Sequence, residues 1–146
     1  MSHFLRQQTS LTLTLAMQAL QAALNRAEEL QARVSIVVVD ASGLPVHSAH
    51  MDAAPAPSRD IALSKARTAA AFNLPTRDWQ ARLERCSDAV RQGLPLQPGL
   101  ALYGGGEPLR LSGEVIGAIG VSGASEELDC SCARAAVEHV RSLLQG

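Results

Sequence analysis

Tyr103-Gly104-Gly105-Gly106-Glu107-Pro108-Leu109, followed closely by Gly117-Ala118-Ile119-Gly120-Val121-Ser122-Gly123, is the stretch on which the fold turns. Apolar, strand-type residues separate a glycine triplet from three further glycines at every third position. Glycine reaches positive φ without strain and lets another group approach the main chain closely. Ser112-Gly113 supplies a turn between them, so residues 108–111 and 114–121 read as paired strands, with a further strand at 100–103. Ser125-Glu126-Glu127-Leu128 then opens a final helix over 125–144. A glycine-lined strand end feeding a helix N-terminus is a cradle for a small anionic ligand. The candidate binding residues are therefore Gly104, Gly105, Gly106, Gly120, Ser122 and Gly123.

Working back toward the N-terminus, Leu13, Met17, Leu20, Leu24 and Ala27 form an i+3/i+4 stripe, with Thr12 or Thr14 as helix cap. Residues 34–39 are a β-branched run apolar on both faces, which predicts a buried strand. Ser42-Gly43 turns the chain into a hairpin partner at 45–51. Ser58 caps a second, alanine-rich helix reaching Phe72, with Asp60 placed against its dipole. Pro75 ends that helix and Thr76 caps a third, whose stripe is Trp79, Leu83, Cys86 and Val90. The order α-β-β-α-α-β-β-β-α does not alternate as a doubly wound sheet would, so the class is α+β with an antiparallel or mixed sheet.

With 146 residues, 47% of them apolar and 18% charged, the chain predicts one globular domain spanning 1–146, of which 1–10 form a short flexible extension. A net charge of −1 without a basic stripe argues against a nucleic-acid partner. No apolar run approaches the roughly 18 residues that cross a bilayer, and the polar start lacks a signal-peptide core. No membrane partner and a cytoplasmic location are expected. The three cysteines suggest no disulfide framework, and Cys130 and Cys132 diverge by roughly 200° on a helix, which suits neither zinc nor redox pairing. No metal site is expected. Alanine-rich helices on a small sheet would leave apolar faces exposed in a monomer, which predicts a homo-oligomer.

Titratable candidates are few. Asp52, after a strand, could serve as general base or simply form a loop-capping turn. Lys65, central in an alanine-rich helix, could pair with a ligand carboxylate or reach solvent along its stem. Glu127 and Asp129 lie two apart on a helix, so at most one points inward. Glu127 joins Asp52 and His50 as a candidate for moving protons. His47 and His50 fall on opposite faces of their strand and cannot share a metal.

Five segments, in order, carry a family resemblance: residues 37–43 (VVVDASG), 50–55 (HMDAAP), 65–72 (KARTAAAF), 103–109 (YGGGEPL) and 117–123 (GAIGVSG). Together they resemble the GlcG/HbpS-like family, described as haem-degrading or haem-binding and found also as the C-terminal domain of PduO-type corrinoid proteins. The resemblance implies a profilin-like α/β/α sandwich around a five-stranded antiparallel sheet, homo-oligomers and, for some members, haem or corrinoid binding. Some relatives ligate haem iron through a histidine in the first helix. The corresponding stretch here offers Met17, and no axial ligand is carried over. Two functions stay open. One is a binding protein for haem, a corrinoid or another carboxylate-bearing small molecule. The other is a cofactor-independent enzyme acting on an organic acid by proton transfer or hydrolysis, using the glycine loop and Asp52, His50 or Glu127.

Overall fold

A computed structural model describes residues 2–145. Helix α1 (Leu13–Glu29) begins where Thr12 accepts a hydrogen bond from the Leu15 amide at 3.2 Å. The chain then forms the hairpin β1 (Ser35–Asp40) and β2 (Pro45–His50), helix α2 (Ser58–Phe72) and two short helices, α3 (Trp79–Glu84) and α4 (Asp88–Gly93). Strands β3 (Gly106–Leu111) and β4 (Glu114–Ser122) follow, and helix α5 (Glu126–Gln145) closes the described chain. The strands form one antiparallel sheet in the order β2-β1-β4-β3.

Successive strand residues alternate between the two faces, and each face has its own helices. Ile36, Val38, Ile119 and Val121 pack with the buried alanines of α1 and with Cys132, Ala133 and Ala136 of α5. Val37, Val39 and Ala118 face Ala62, Ala66 and Ala69 of α2 on the other side. The fold is thus α+β, with helices on both sides of a four-stranded sheet.

Four strands, not five, correct the sequence reading. Residues 100–103 pair with no strand, because helix side chains take their backbone groups. The Ala101 amide donates to Thr68 Oγ1 at 3.1 Å, and just past the segment the Gly104 amide donates to Glu126 Oε2 at 2.6 Å. The α1 stripe is also rotated. Leu13 and Met17 are 53% and 50% exposed, while Ala16, Ala19, Leu20, Ala23 and Ala27 are buried. Small side chains win that face because they let α5 approach closely. The third helix is broken after Glu84, and Ser87 caps a new one through the Val90 amide at 3.3 Å. Residues 2–10 have exposed side chains; Leu11 rejoins the core and its amide donates to the Ile116 carbonyl at 2.9 Å.

One cross-strand pair controls how α2 sits. Gly106 and Gly120 oppose each other in the β3–β4 ladder. A Cβ on Gly120 would collide with the Ala62 carbonyl oxygen, and one on Gly106 with the Lys65 carbonyl. The pair is a notch in the sheet into which α2 lowers its backbone.

Candidate functional site

Residues directly opposite in adjacent strands point to the same side of a sheet. Ser35 opposes His50 on one side and Ser122 on the other, so all three face α2. Two concavities open on that face, one at the start of α5 and one along β2.

The first is a chamber of about 270 Å³ lined by Ser58, Lys65, Tyr103, Ser122, Glu126 and Asp129, among others. Lys65 is 1% exposed because the notch seats α2 deep. Its Nζ donates to the Val121 carbonyl at 2.9 Å and to Asp129 Oδ2 at 3.2 Å, and lies 5.0 Å from the Tyr103 ring centroid. Asp129, 3% exposed, also accepts the Ala124 amide at 3.0 Å through Oδ1. Burial raises the Asp129 pKa above the usual 3.8, and the Lys65 charge and the Ala124 amide only partly offset that rise. Ser122 is 5% exposed, and its hydroxyl, which is not fully buried, makes no hydrogen bond to any described residue. Ser125 caps α5 through the Leu128 amide at 3.2 Å, which brings Glu126 to the chamber mouth.

The second is a groove of about 430 Å³ lined by Val37, Pro45, Ser48, His50, Arg59 and Leu63, among others. His50 Nε2 lies 3.1 Å from the Ala54 carbonyl, which can only accept, so Nε2 carries the proton. Nδ1 is then the acceptor for the Ser35 hydroxyl. Ser58 Oγ donates its one proton to the Pro55 carbonyl at 2.5 Å and lies 3.1 Å from Ser35 Oγ. Ser58 also lines the chamber, so a series of polar contacts from His50 through Ser35 reaches it.

The structure sorts the residues singled out in the sequence. Lys65, Ser122 and Gly123 line the chamber. Gly105, at φ +128°, lies behind it, where a Cβ would come within 2.7 Å of Lys65 Nζ. Two amides of the glycine triplet are already taken: Gly104 by Glu126 and Gly106 by Thr76 Oγ1, at 2.8 Å. Gly106 and Gly120 make the notch. Thr76 is a partner of this loop rather than a helix cap, and Ser58 is the first residue of α2 with its hydroxyl turned back to the Pro55 carbonyl. Asp52 is exposed in a separate depression on the α1 side, where its carbonyl accepts from Arg33 Nη1 at 3.2 Å. Glu127 is exposed outside the chamber lining.

Of the two acids considered at the start of α5, Asp129 is therefore the one turned inward. Its spacing of three, four and seven to Cys132, Ala133 and Ala136 carried that signal, since those residues share the buried face. Sequence reasoning missed Glu126, Ser58 and Ser35. A second buried acid, Glu107, lies on the opposite face and pairs with Arg77. Burial raises its pKa above the usual 4.5 despite that guanidinium. All three cysteines are free thiols, and burial pushes Cys132 up to about 11. Among the described residues no cluster of three potential metal ligands occurs, and no helix is long and apolar enough to cross a membrane.

Comparison with known proteins agrees on one group. Residues 11–138 match the family model described as haem degrading protein HbpS-like. The corrinoid adenosyltransferase PduO of Citrobacter freundii is 35% identical over 122 residues, covering 82% of this chain and 36% of PduO. This chain thus spans about a third of that protein's length. A crystal structure of a double mutant of HbpS from Streptomyces reticuli superimposes with a TM-score of 0.83 at 37% identity, covering 94% of this chain and 92% of that one. A crystal structure of PduOC in complex with haem gives a TM-score of 0.78 at 32% identity, covering 90% and 95%.

Proposed function

We propose, from the premise that this chain belongs to the HbpS-like family, that it is a binding protein for a haem-type tetrapyrrole held in the groove along β2. One observation carries this reading. The groove joins an apolar wall, Val37, Pro45 and Leu63, to an imidazole, His50, and a guanidinium, Arg59. That donor set suits a flat apolar ring with carboxylate arms, whether haem or a corrinoid-type relative. Val37 and Leu63 would exclude water from one face of the ring, and Arg59 would hold a carboxylate by paired N–H donors. His50 is positioned by Ser35, and its Nε2 proton on Ala54 is the bond that gives way if the imidazole serves as a ligand. Haem, when bound, supplies an iron centre. The haem complex of PduOC supports the same ligand class for this chain.

A homo-oligomer is part of the proposal, supported by the exposed Leu13 and Met17 on α1. A cofactor-free reading, with proton transfer on an organic acid, is favoured by one feature. The series His50–Ser35–Ser58 ends in the chamber beside Lys65.

Haem titration of the purified protein, followed at the Soret band, tests the first reading. A saturable, stoichiometric shift that weakens in both His50→Ala and Arg59→Ala is expected. No saturable shift would sink it, and a shift indifferent to both variants would move the ring out of the groove.

A further inference from the structure

The chamber at the start of α5 is smaller than the groove and has its own chemistry. Liquid water occupies about 30 Å³ per molecule. On that scale about 270 Å³ suits a ligand of a few carbons. The charges say which kind. Lys65 and Asp129 neutralise each other inside the protein, so Lys65 has no uncompensated charge to offer an anion. Glu126 at the mouth adds a negative charge, and its Oε2 already accepts the Gly104 amide. A carboxylate entering here would meet net repulsion.

Hydrogen-bonding capacity is left over. An ammonium has three donors, and Val121 and Asp129 take two of those of Lys65. The third meets no oxygen or nitrogen acceptor among the described residues. Ser122 lines the same chamber, and its hydroxyl makes no hydrogen bond to a described residue yet keeps access to the chamber's water, since Trp79 Nε1 alone among the described side-chain polar atoms is fully buried without a partner. A ligand that displaces that water has to replace its hydrogen bonds. Lys65 can donate to a carbonyl oxygen. Ser122 can donate or accept, and the free oxygen of Glu126 can accept from a hydroxyl.

We infer that the Lys65–Ser122–Glu126 chamber is a second binding site, for a small uncharged hydroxycarbonyl compound. It does not rest on the tetrapyrrole reading, because the groove and its residues take no part.

Ligand-observed NMR titration with dihydroxyacetone, and with pyruvate as the charged comparison, tests the assignment. Saturable binding of dihydroxyacetone, tighter than that of pyruvate, is expected. Ser122→Val should fill the chamber and weaken dihydroxyacetone by about tenfold or more, the scale of one lost buried hydrogen bond. Glu126→Gln keeps an acceptor for Gly104 but removes the charge, so the preference over pyruvate should narrow or reverse. Should Ser122→Val not fold by circular dichroism, Ser122→Ala removes the hydroxyl without adding bulk. Haem titration of the same variants should be unchanged, which separates this site from the groove. Three results would overturn the inference: a wild-type preference for pyruvate, no saturable binding of either probe, or dihydroxyacetone affinity indifferent to Ser122.

Discussion

The chamber and the groove lie on the same face of the sheet and are joined through Ser58 and Ser35, yet they are built in opposite ways. In the chamber the polar groups are interior: Lys65 and Asp129 are almost wholly enclosed and hold each other. In the groove they are peripheral: Arg59 is exposed and His50 half-buried, set against an apolar wall. Charges taken out of water must be matched within the protein, so the chamber's polar residues are also structural ones. Charges left at the surface cost the fold little and can be spent on a ligand. A single side chain change should therefore reveal which region it belongs to.

The widest gap should appear between Lys65→Met and Arg59→Ala. Removing Lys65 strands Asp129 as an unpaired buried acid, for which about 3–5 kcal/mol of lost stability is expected. Arg59→Ala, at an exposed position, should stay within about 0.5 kcal/mol. Urea denaturation of both decides it, and similar losses would erase the distinction between the regions.

Gly120→Ala comes next. The added methyl meets the Ala62 carbonyl, and α2 must lift or shift, at about 1–3 kcal/mol. Because Lys65 rides on α2, the sharper readout is pairing: in the variant, Lys65→Met should cost less than it does in the wild type. An additive double mutant would mean that the notch and the ion pair are independent.

The smallest effect is on pH. Burial raises both Asp129 and Glu107 in the folded chain, so it binds protons more readily than the unfolded chain above 3.8 and 4.5 respectively. Their contribution to stability is therefore full below those values and declines as pH climbs through the raised values, by at most about 1.4 kcal/mol per pH unit for each acid. Melting curves from pH 4 upward should show a decline that Glu107→Gln makes shallower. An unchanged slope in that variant would remove Glu107 from the account.

Much of this could be read in the chain because the signals were local. Thr12, Ser42-Gly43 and Ser112-Gly113 marked element ends by their own backbone preferences, and the β-branched run gave β1. What escaped was decided by partners far away in sequence. Residues 100–103 look like a strand, but Thr68 and Glu126 take the amides around them. Leu13 and Met17 look like a core stripe, but alanine contact with α5 turns them outward. Ser58 looks like a cap, yet its hydroxyl turns back to the Pro55 carbonyl and lies beside Ser35, 23 residues earlier. The glycine triplet reads as an anion nest from its composition. Its Gly104 and Gly106 amides are satisfied internally, and the free hydrogen-bonding capacity lies next door on Ser122 and Lys65.

The Gly106–Gly120 notch has a mechanical meaning as well. It receives α2 at two carbonyls, those of Ala62 and Lys65, which are three residues apart on one side of the helix. Two fixed points remove both sliding along the sheet and rolling about the helix axis, and leave only a small tilt. One end of such a lever is the proline-flanked start at Pro55–Pro57, where α2 has no side-chain cap and where Ser58 lines the chamber while its hydroxyl lies 3.1 Å from Ser35 Oγ in the groove. Any communication between chamber and groove would then pass as a nod of that first turn, with the buried ion pair standing nearly still.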